Sequence, residues 1–147
     1  MARFIGANED EARALLDAAG VTLSSVEGGE APASLVEAVL PEDARQVRAE
    51  VEMAVPAEPS AGMGAWHVNA ADEVHVVRSG QGLMEFVTIE GPVSVILEAG
   101  DVVAIRGTEH RYRPLTAQRW TLRFGGPVDA ELVATDTGRA SGPWPLP

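Results

Sequence analysis

From Trp66 onward the chain is a succession of short apolar runs separated by glycine-bearing turns, and this pattern constrains the fold more than any other feature. The candidate strands span 66–69, 73–78, 83–88, 93–97, 102–105, 110–114, 119–124 and 131–134, with Gly80-Gln81-Gly82 and Glu90-Gly91-Pro92 as turns. Short strands at this spacing pair into an antiparallel sandwich or barrel. A length of 147 residues suits one domain with a sizeable core. The pattern therefore predicts a mainly β fold. A barrel spans 61–135, an α-rich N-terminal segment over 1–60 packs on it, and an irregular tail with three prolines and two glycines closes the chain over 136–147.

The N-terminal segment reads as helix and short strand. Asn8 can cap a helix that opens on Glu9, Asp10 and Glu11, where acids suit the helix dipole. Ala12, Leu15, Leu16 and Ala19 recur at helical spacing, Gly20 is a plausible stop, and 21–26 suits a short strand broken by Gly28-Gly29. Ser34-Leu35-Val36-Glu37 fits a capping box before a second helix. Pro41, Glu42 and Asp43 suit the first turn of a third helix, continued by Ala44, Val47, Arg48 and Val51. The stretch 56–64 is rich in proline, glycine, alanine and serine and reads as a loop.

Composition narrows the chemistry. Cysteine is absent, so disulfides, thiolate ligands and a cysteine nucleophile are excluded, and a metal would be held by nitrogen and oxygen. The formal net charge is −11, and all eleven basic residues are arginine. Such a surface repels nucleic acid and anionic lipid, so neither is an expected partner. The charge is uneven: 1–60 carry net −8 and 61–147 net −3, so an anionic substrate is better tolerated by the second part. No segment has the roughly 20 apolar residues of a membrane span. The opening residues do not form a signal peptide, so the expected location is the cytoplasm.

The three histidines, His67, His75 and His110, fall within the β region. Residues two apart on a strand share a face. His67 therefore points with Asn69, Glu73 with His75, and His110 with Tyr112. If these faces turn inward, His67, Glu73 and His110 can surround one ion, bordered by Asn69, His75 and Tyr112. Two histidines and a carboxylate on one face are the ligands of non-haem Fe(II) enzymes, and an inward glutamate in an apolar barrel is costly unless paired or metal-bound. His75, with an ordinary pKa of about 6.5, suits proton transfer or a place among the ligands. Asn69 and Tyr112 suit substrate binding or support of the ligands. Met84, Phe86, Trp120, Leu122 and Phe124 suit core or pocket wall. Arg78, Arg106, Arg111 and Arg113 read as surface or rim residues, any one of which can anchor a substrate carboxylate.

These residues carry a resemblance. His67-x-Asn69-x-x-x-Glu73, followed by six residues and Gly80, resembles the first cupin motif. Its usual form is His-x-His, three or four residues, Glu, six residues, Gly. The segment from Gly100-Asp101 through an apolar run to Gly107-Thr108-Glu109-His110 resembles the second. Asp72-Glu73-Val74, Gly80-x-Gly82, Gly100-Asp101 and Gly107-Thr108-x-His110, with a helical region before them, look like the acireductone dioxygenases. The similarity covers most of 60–126. The chain departs from that family in three places: Asn69 stands for a ligand histidine, His75 for an arginine that meets the substrate, and the proline before the last histidine is missing from a segment one residue shorter.

The resemblance implies a cupin barrel, that is, a double-stranded β-helix or jelly roll. It also implies a divalent cation, Fe(II) first and Ni(II) or another ion second, held by His67, Glu73 and His110; beside it, Glu73 and His75 are read from their residue types as the catalytic residues, with His75 taking a proton. The implied activity is a dioxygenase acting with O2 on a small enediol or hydroxy-ketone. In that family the products are formate and a keto acid, or carbon monoxide with the other metal. Two other readings stay open: a non-oxidative metal cupin (isomerase, dehydratase, lyase or cyclase), and a non-catalytic small-molecule-binding cupin. The chain is expected to be a monomer or homodimer.

Overall fold

A computed structural model describes residues 2–26, 33–39, 47–125 and 134–146. Its elements in chain order are β1 (Arg3–Phe4), α1 (Glu9–Ala19), β2 (Val21–Ser25), α2 (Ala33–Val39), β3 (Val47–Met53), β4 (His67–Asn69), β5 (Asp72–Ser79), β6 (Gly82–Thr88), β7 (Gly91–Leu97), β8 (Asp101–Ile105), β9 (His110–Pro114), β10 (Gln118–Gly125) and β11 (Ala134–Asp136). One antiparallel sheet has the order β1-β7-β6-β9-β4-β11, and the other β2-β8-β5-β10-β3. The chain passes between the sheets at Asn69–Asp72, so β4 and β5 lie in opposite walls. This crossing carries His67 and Glu73 into different sheets.

Alternation along the strands builds the core between the walls. Met84, Phe86 and Tyr112 from one sheet meet Val77, Val103, Ile105, Trp120 and Leu122 from the other, joined by Ala12 and Leu16 of α1. The opposite face of the second sheet is also covered: Val74, Val76, Val102 and Ala104 pack with Leu35 and Val39 of α2. Asp101, wholly buried, ties three pieces together. Its carboxylate accepts from the Ala2 amide at 3.0 Å, the Ser25 hydroxyl at 2.7 Å and the Glu98 amide at 2.8 Å. The Gly100-Asp101 turn is thus an anchor for β1 and β2 as well as a start for β8.

The expected first helix forms as read: Asn8 accepts from the Glu11 amide at 3.2 Å, and Gly20 ends the helix at φ 97°. Three readings of the N-terminal segment change. First, α2 begins at Ala33, so Ser34 lies inside the helix and does not precede it as a cap. Second, the helix expected to run through Val47, Arg48 and Val51 is instead strand β3, paired with β10 from Val47↔Phe124 to Met53↔Gln118. Its sequence, Val-Arg-Ala-Glu-Val-Glu-Met, alternates with period two, and Val51 and Met53 pack on the core while Glu50 and Glu52 are exposed. Third, the segment 1–60 contributes β1, β2 and β3 to the sheets as well as its helices. Gly28-Gly29 and Pro41 to Ala44 lie outside the described residues.

Among the described residues the tail has no regular structure after Asp136, and it is fastened to the barrel. A strand runs over Ala134–Asp136, paired with β4 as Ala134↔Asn69 to Asp136↔His67; it shares only Ala134 with the strand expected over 131–134, and residues 131–133 lie outside the described residues. Beyond it the Arg139 guanidinium donates to Glu109 at 2.9 and 3.0 Å. Arg111 is the principal clasp. Read from the sequence as a surface residue, it is buried, with its guanidinium 2.6 Å from the Glu85 carboxylate. It donates to the Gly142 carbonyl at 3.0 Å and lies 3.8 Å from the Trp144 ring and 4.9 Å from that of Trp66. Ser94 donates to the other Glu85 oxygen at 2.6 Å.

Removing one member of a buried pair leaves the other charge uncompensated and costs about 3–5 kcal/mol, whereas an exposed pair contributes about 0–1 kcal/mol. Arg111→Ala is accordingly expected to lower unfolding free energy in urea by about 3–5 kcal/mol. Arg119→Ala, which breaks the exposed Arg119–Glu52 pair, is expected to change it by less than about 1 kcal/mol. Equal losses in the two variants would contradict this picture of the tail clasp.

Candidate metal centre

Three strands bring the site together. His67 on β4 and His110 on β9 are directly opposite across one sheet, with ring centroids 4.5 Å apart. Glu73 and His75 stand two apart on β5 in the facing sheet and turn the same way. Their cross-strand neighbours on β10 are Phe124 and Leu122, and on β8 Ile105 and Val103. His67, Asn69, Glu73, His75, His110 and Tyr112 all line one cavity of about 170 Å³, walled by Val51, Met63, Met84, Trp120, Leu122 and Ala134. Every site residue singled out in the sequence therefore reaches the same space.

The orientation of the rings is fixed by backbone carbonyls. His67 Nδ1 lies 2.7 Å from the Ala65 carbonyl, and His110 Nδ1 lies 2.7 Å from the Thr108 carbonyl. A carbonyl oxygen only accepts, so each Nδ1 carries the proton and donates. In the neutral rings Nε2 then holds a lone pair. The Thr108 hydroxyl meanwhile donates to the Ala19 carbonyl at the end of α1. The helix terminus thus holds the Gly107–Thr108 turn, and the turn holds His110.

Glu73 is 3% exposed and is the hub. Its Oε1 lies 3.1 Å from His110 Nε2 and 3.2 Å from His75 Nε2. By contact geometry, Glu73 Oε1 and His75 Nε2 are buried atoms without a hydrogen bond. The other oxygen, Oε2, accepts from Asn69 Nδ2 at 3.0 Å. Burial pushes the Glu73 carboxyl up, but the adjacent His75 and His110 outweigh it and hold the group well below the usual carboxylate range. Burial likewise pulls His67 below the ordinary histidine value.

Two lone-pair atoms facing each other at 3.1 Å repel unless positive charge lies between them. A proton or a metal cation meets that need. Ligands about 2.1 Å from an ion at right angles stand about 3.0 Å apart, so the spacings around Glu73 Oε1 suit neighbouring ligands of one cation. Among the described residues, no three or more His, Asp and Glu side chains are placed, as they stand, to hold one metal ion. The fit is pairwise: two imidazole nitrogens flank one oxygen, with the His67 ring beside His110.

Asn69 donates through its Nδ2 to the Glu73 carboxylate. Tyr112 lines the cavity, but its hydroxyl donates to Gln118 Oε1, and burial pushes its pKa above the usual range. It is a wall group with its donor already used. Gly82 is required by the same contact, since a Cβ there would overlap the Tyr112 hydroxyl. None of the four arginines noted in the sequence lines the cavity. Arg78 donates to Thr121 at 3.0 Å, and Arg106 donates to Thr22 at 3.1 Å and to the Val39 carbonyl at 3.2 Å. Neither the Asn69–Glu73 bond nor the carbonyls that orient the rings is signalled in the sequence, because both depend on the β4–β5 crossing and on backbone paths.

No protein-family model matches the chain, and no curated protein matches it. Among solved structures it is similar to the acireductone dioxygenase of Bacillus anthracis, a structure with a cadmium ion in its active centre. The TM-score is 0.58 at 14% identity, over 87% of this chain and 92% of that one. A mutant of oxalate decarboxylase from Bacillus subtilis matches with TM-score 0.47 and 14% identity, over 80% of this chain and 27% of that one. The fold is a cupin barrel resembling that of acireductone dioxygenase, as the two motifs imply.

The depressed pKa of His67 gives a pH signature. A folded-state value below the unfolded value of about 6.5 means that the unfolded chain binds the proton more readily. This contribution to stability is present above about pH 6.5 and is lost as pH falls from there through the folded-state value. In chelator-treated protein, Tm is expected to fall from about pH 7.5 to about pH 5.5, and less steeply in His67→Gln. The same slope in both proteins would remove His67 as its source.

Proposed function

We propose that this cupin is a metal-dependent enzyme and that it acts as a dioxygenase on a small enediol or hydroxy-ketone. The observation that carries the metal reading is the approach of His110 Nε2 to Glu73 Oε1 at 3.1 Å, with the His110 proton already committed to the Thr108 carbonyl. His67, Glu73 and His110 would hold the ion. A bound divalent cation, Fe(II) for an O2-dependent reaction, would supply Lewis acidity that lowers the pKa of an enediol hydroxyl.

The chain's own residues account for the surroundings. Asn69 fixes the free oxygen of Glu73, and the Ala65 and Thr108 carbonyls fix the two rings, so the donor atoms are oriented before a ligand arrives. Val51, Met63, Met84 and Leu122 give the rest of the cavity an apolar wall that excludes water from the non-coordinating end of a substrate. No arginine lines the described cavity, which favours a substrate whose oxygens are gathered at the ion and whose remainder is uncharged. The resemblance to acireductone dioxygenase in fold and motif supports the dioxygenase class.

Elemental analysis tests the site: purified protein is expected to carry about one equivalent of divalent metal, and His67→Ala and His110→Ala are expected to lose it. Metal content unaffected by both substitutions would defeat the assignment. An oxygen electrode with candidate enediols tests the reaction. Turnover that consumes no O2 would replace the dioxygenase with the non-oxidative isomerase or lyase reading.

A further inference from the structure

We infer that His75 supplies the imidazole that position 69 lacks, so that the ion is held by His67, Glu73, His75 and His110 while Asn69 positions the carboxylate. This assignment rests on the metal reading above and specifies its ligand set. The cupin motif that the chain resembles places two histidines on the strand before the glutamate. Here the second is Asn69, and an added histidine stands two residues beyond the glutamate. The two departures occur on opposite walls of one cavity, on β4 and β5.

Three observations join them. Glu73 Oε1 is flanked by imidazole nitrogens in equivalent fashion, His110 Nε2 at 3.1 Å and His75 Nε2 at 3.2 Å. His75 Nε2 is a buried polar atom without a hydrogen bond, and it is aimed at an oxygen in the same condition. Asn69 turns its Nδ2 to Glu73 Oε2 at 3.0 Å, and the amide nitrogen that it presents there offers no lone pair to a cation. The imidazole count of a three-histidine, one-glutamate site is thus kept, with one ring moved from the β4 wall to the β5 wall. A lone pair given to an ion is not free for a proton, so His75 as ligand replaces the proton acceptor that its residue type suggests.

The test uses the whole chain freed of metal and titrated with Co(II) alone. Affinity is measured by chelator competition, and nitrogen coordination by pulsed EPR of the Cu(II)-loaded protein. His75→Ala is expected to weaken Co(II) binding about tenfold or more and to lose one imidazole coupling. Adding Asn69→His to His75→Ala is expected to restore both. His75→Gln, read by the same coupling, serves if the alanine variant does not fold. Unchanged affinity and couplings in His75→Ala and His75→Gln would overturn the inference while leaving the three-ligand site standing. A wild-type chain that binds neither ion would overturn the metal reading and this assignment with it.

Discussion

A carboxylate placed inside an apolar barrel must have its charge met, and much of this structure follows from how that is done for Glu73. Burial alone would favour the neutral acid. The charged form is sustained because each wall supplies part of the compensation: His110 from one sheet, His75 from the strand that carries Glu73, and Asn69 from the crossing between the walls. This works only if the two sheets face each other in a fixed register. The elements that set the register are therefore also elements of the site. The end of α1 holds the turn before His110, and Asp101 ties β8 to the N-terminal strands.

The same strands carry a second buried charge on their other face. Along β9, His110 and Tyr112 point into the cavity while Arg111 points away; along β6, Met84 and Phe86 point in while Glu85 points away to meet Arg111. Strand alternation places an ion pair behind the imidazole pair, and the tail is stacked over that ion pair through Trp144. Because β11 also pairs with β4 opposite His67, the tail supports the strand that bears one of the site's histidines.

Most of the barrel was legible because its signal is local. Period-two apolar runs and glycine turns depend only on neighbours in sequence, and strands β4 to β10 fall where those runs are. The face shared by Glu73 and His75 follows from the same parity. The N-terminal part was harder to read. Val47 and Val51 are four apart, which suits a helix, but Val47, Ala49, Val51 and Met53 also alternate, which suits a strand. Pairing with β10 decided between them, and that partner lies some seventy residues away. Arg111 looked like a rim residue because nothing near it in sequence announces a buried partner; Glu85 is 26 residues distant.

The sequence by itself determined the fold class, the set of residues able to serve as metal ligands and the oddity at position 69, since spacing and residue type carry that information. It left open whether Asn69 or His75 belongs with His67, Glu73 and His110. Only the tertiary structure shows what each of them meets, because the two residues lie on opposite walls. Asn69 spends its amide on one oxygen of Glu73, while His75 turns an unsatisfied ring nitrogen toward the other.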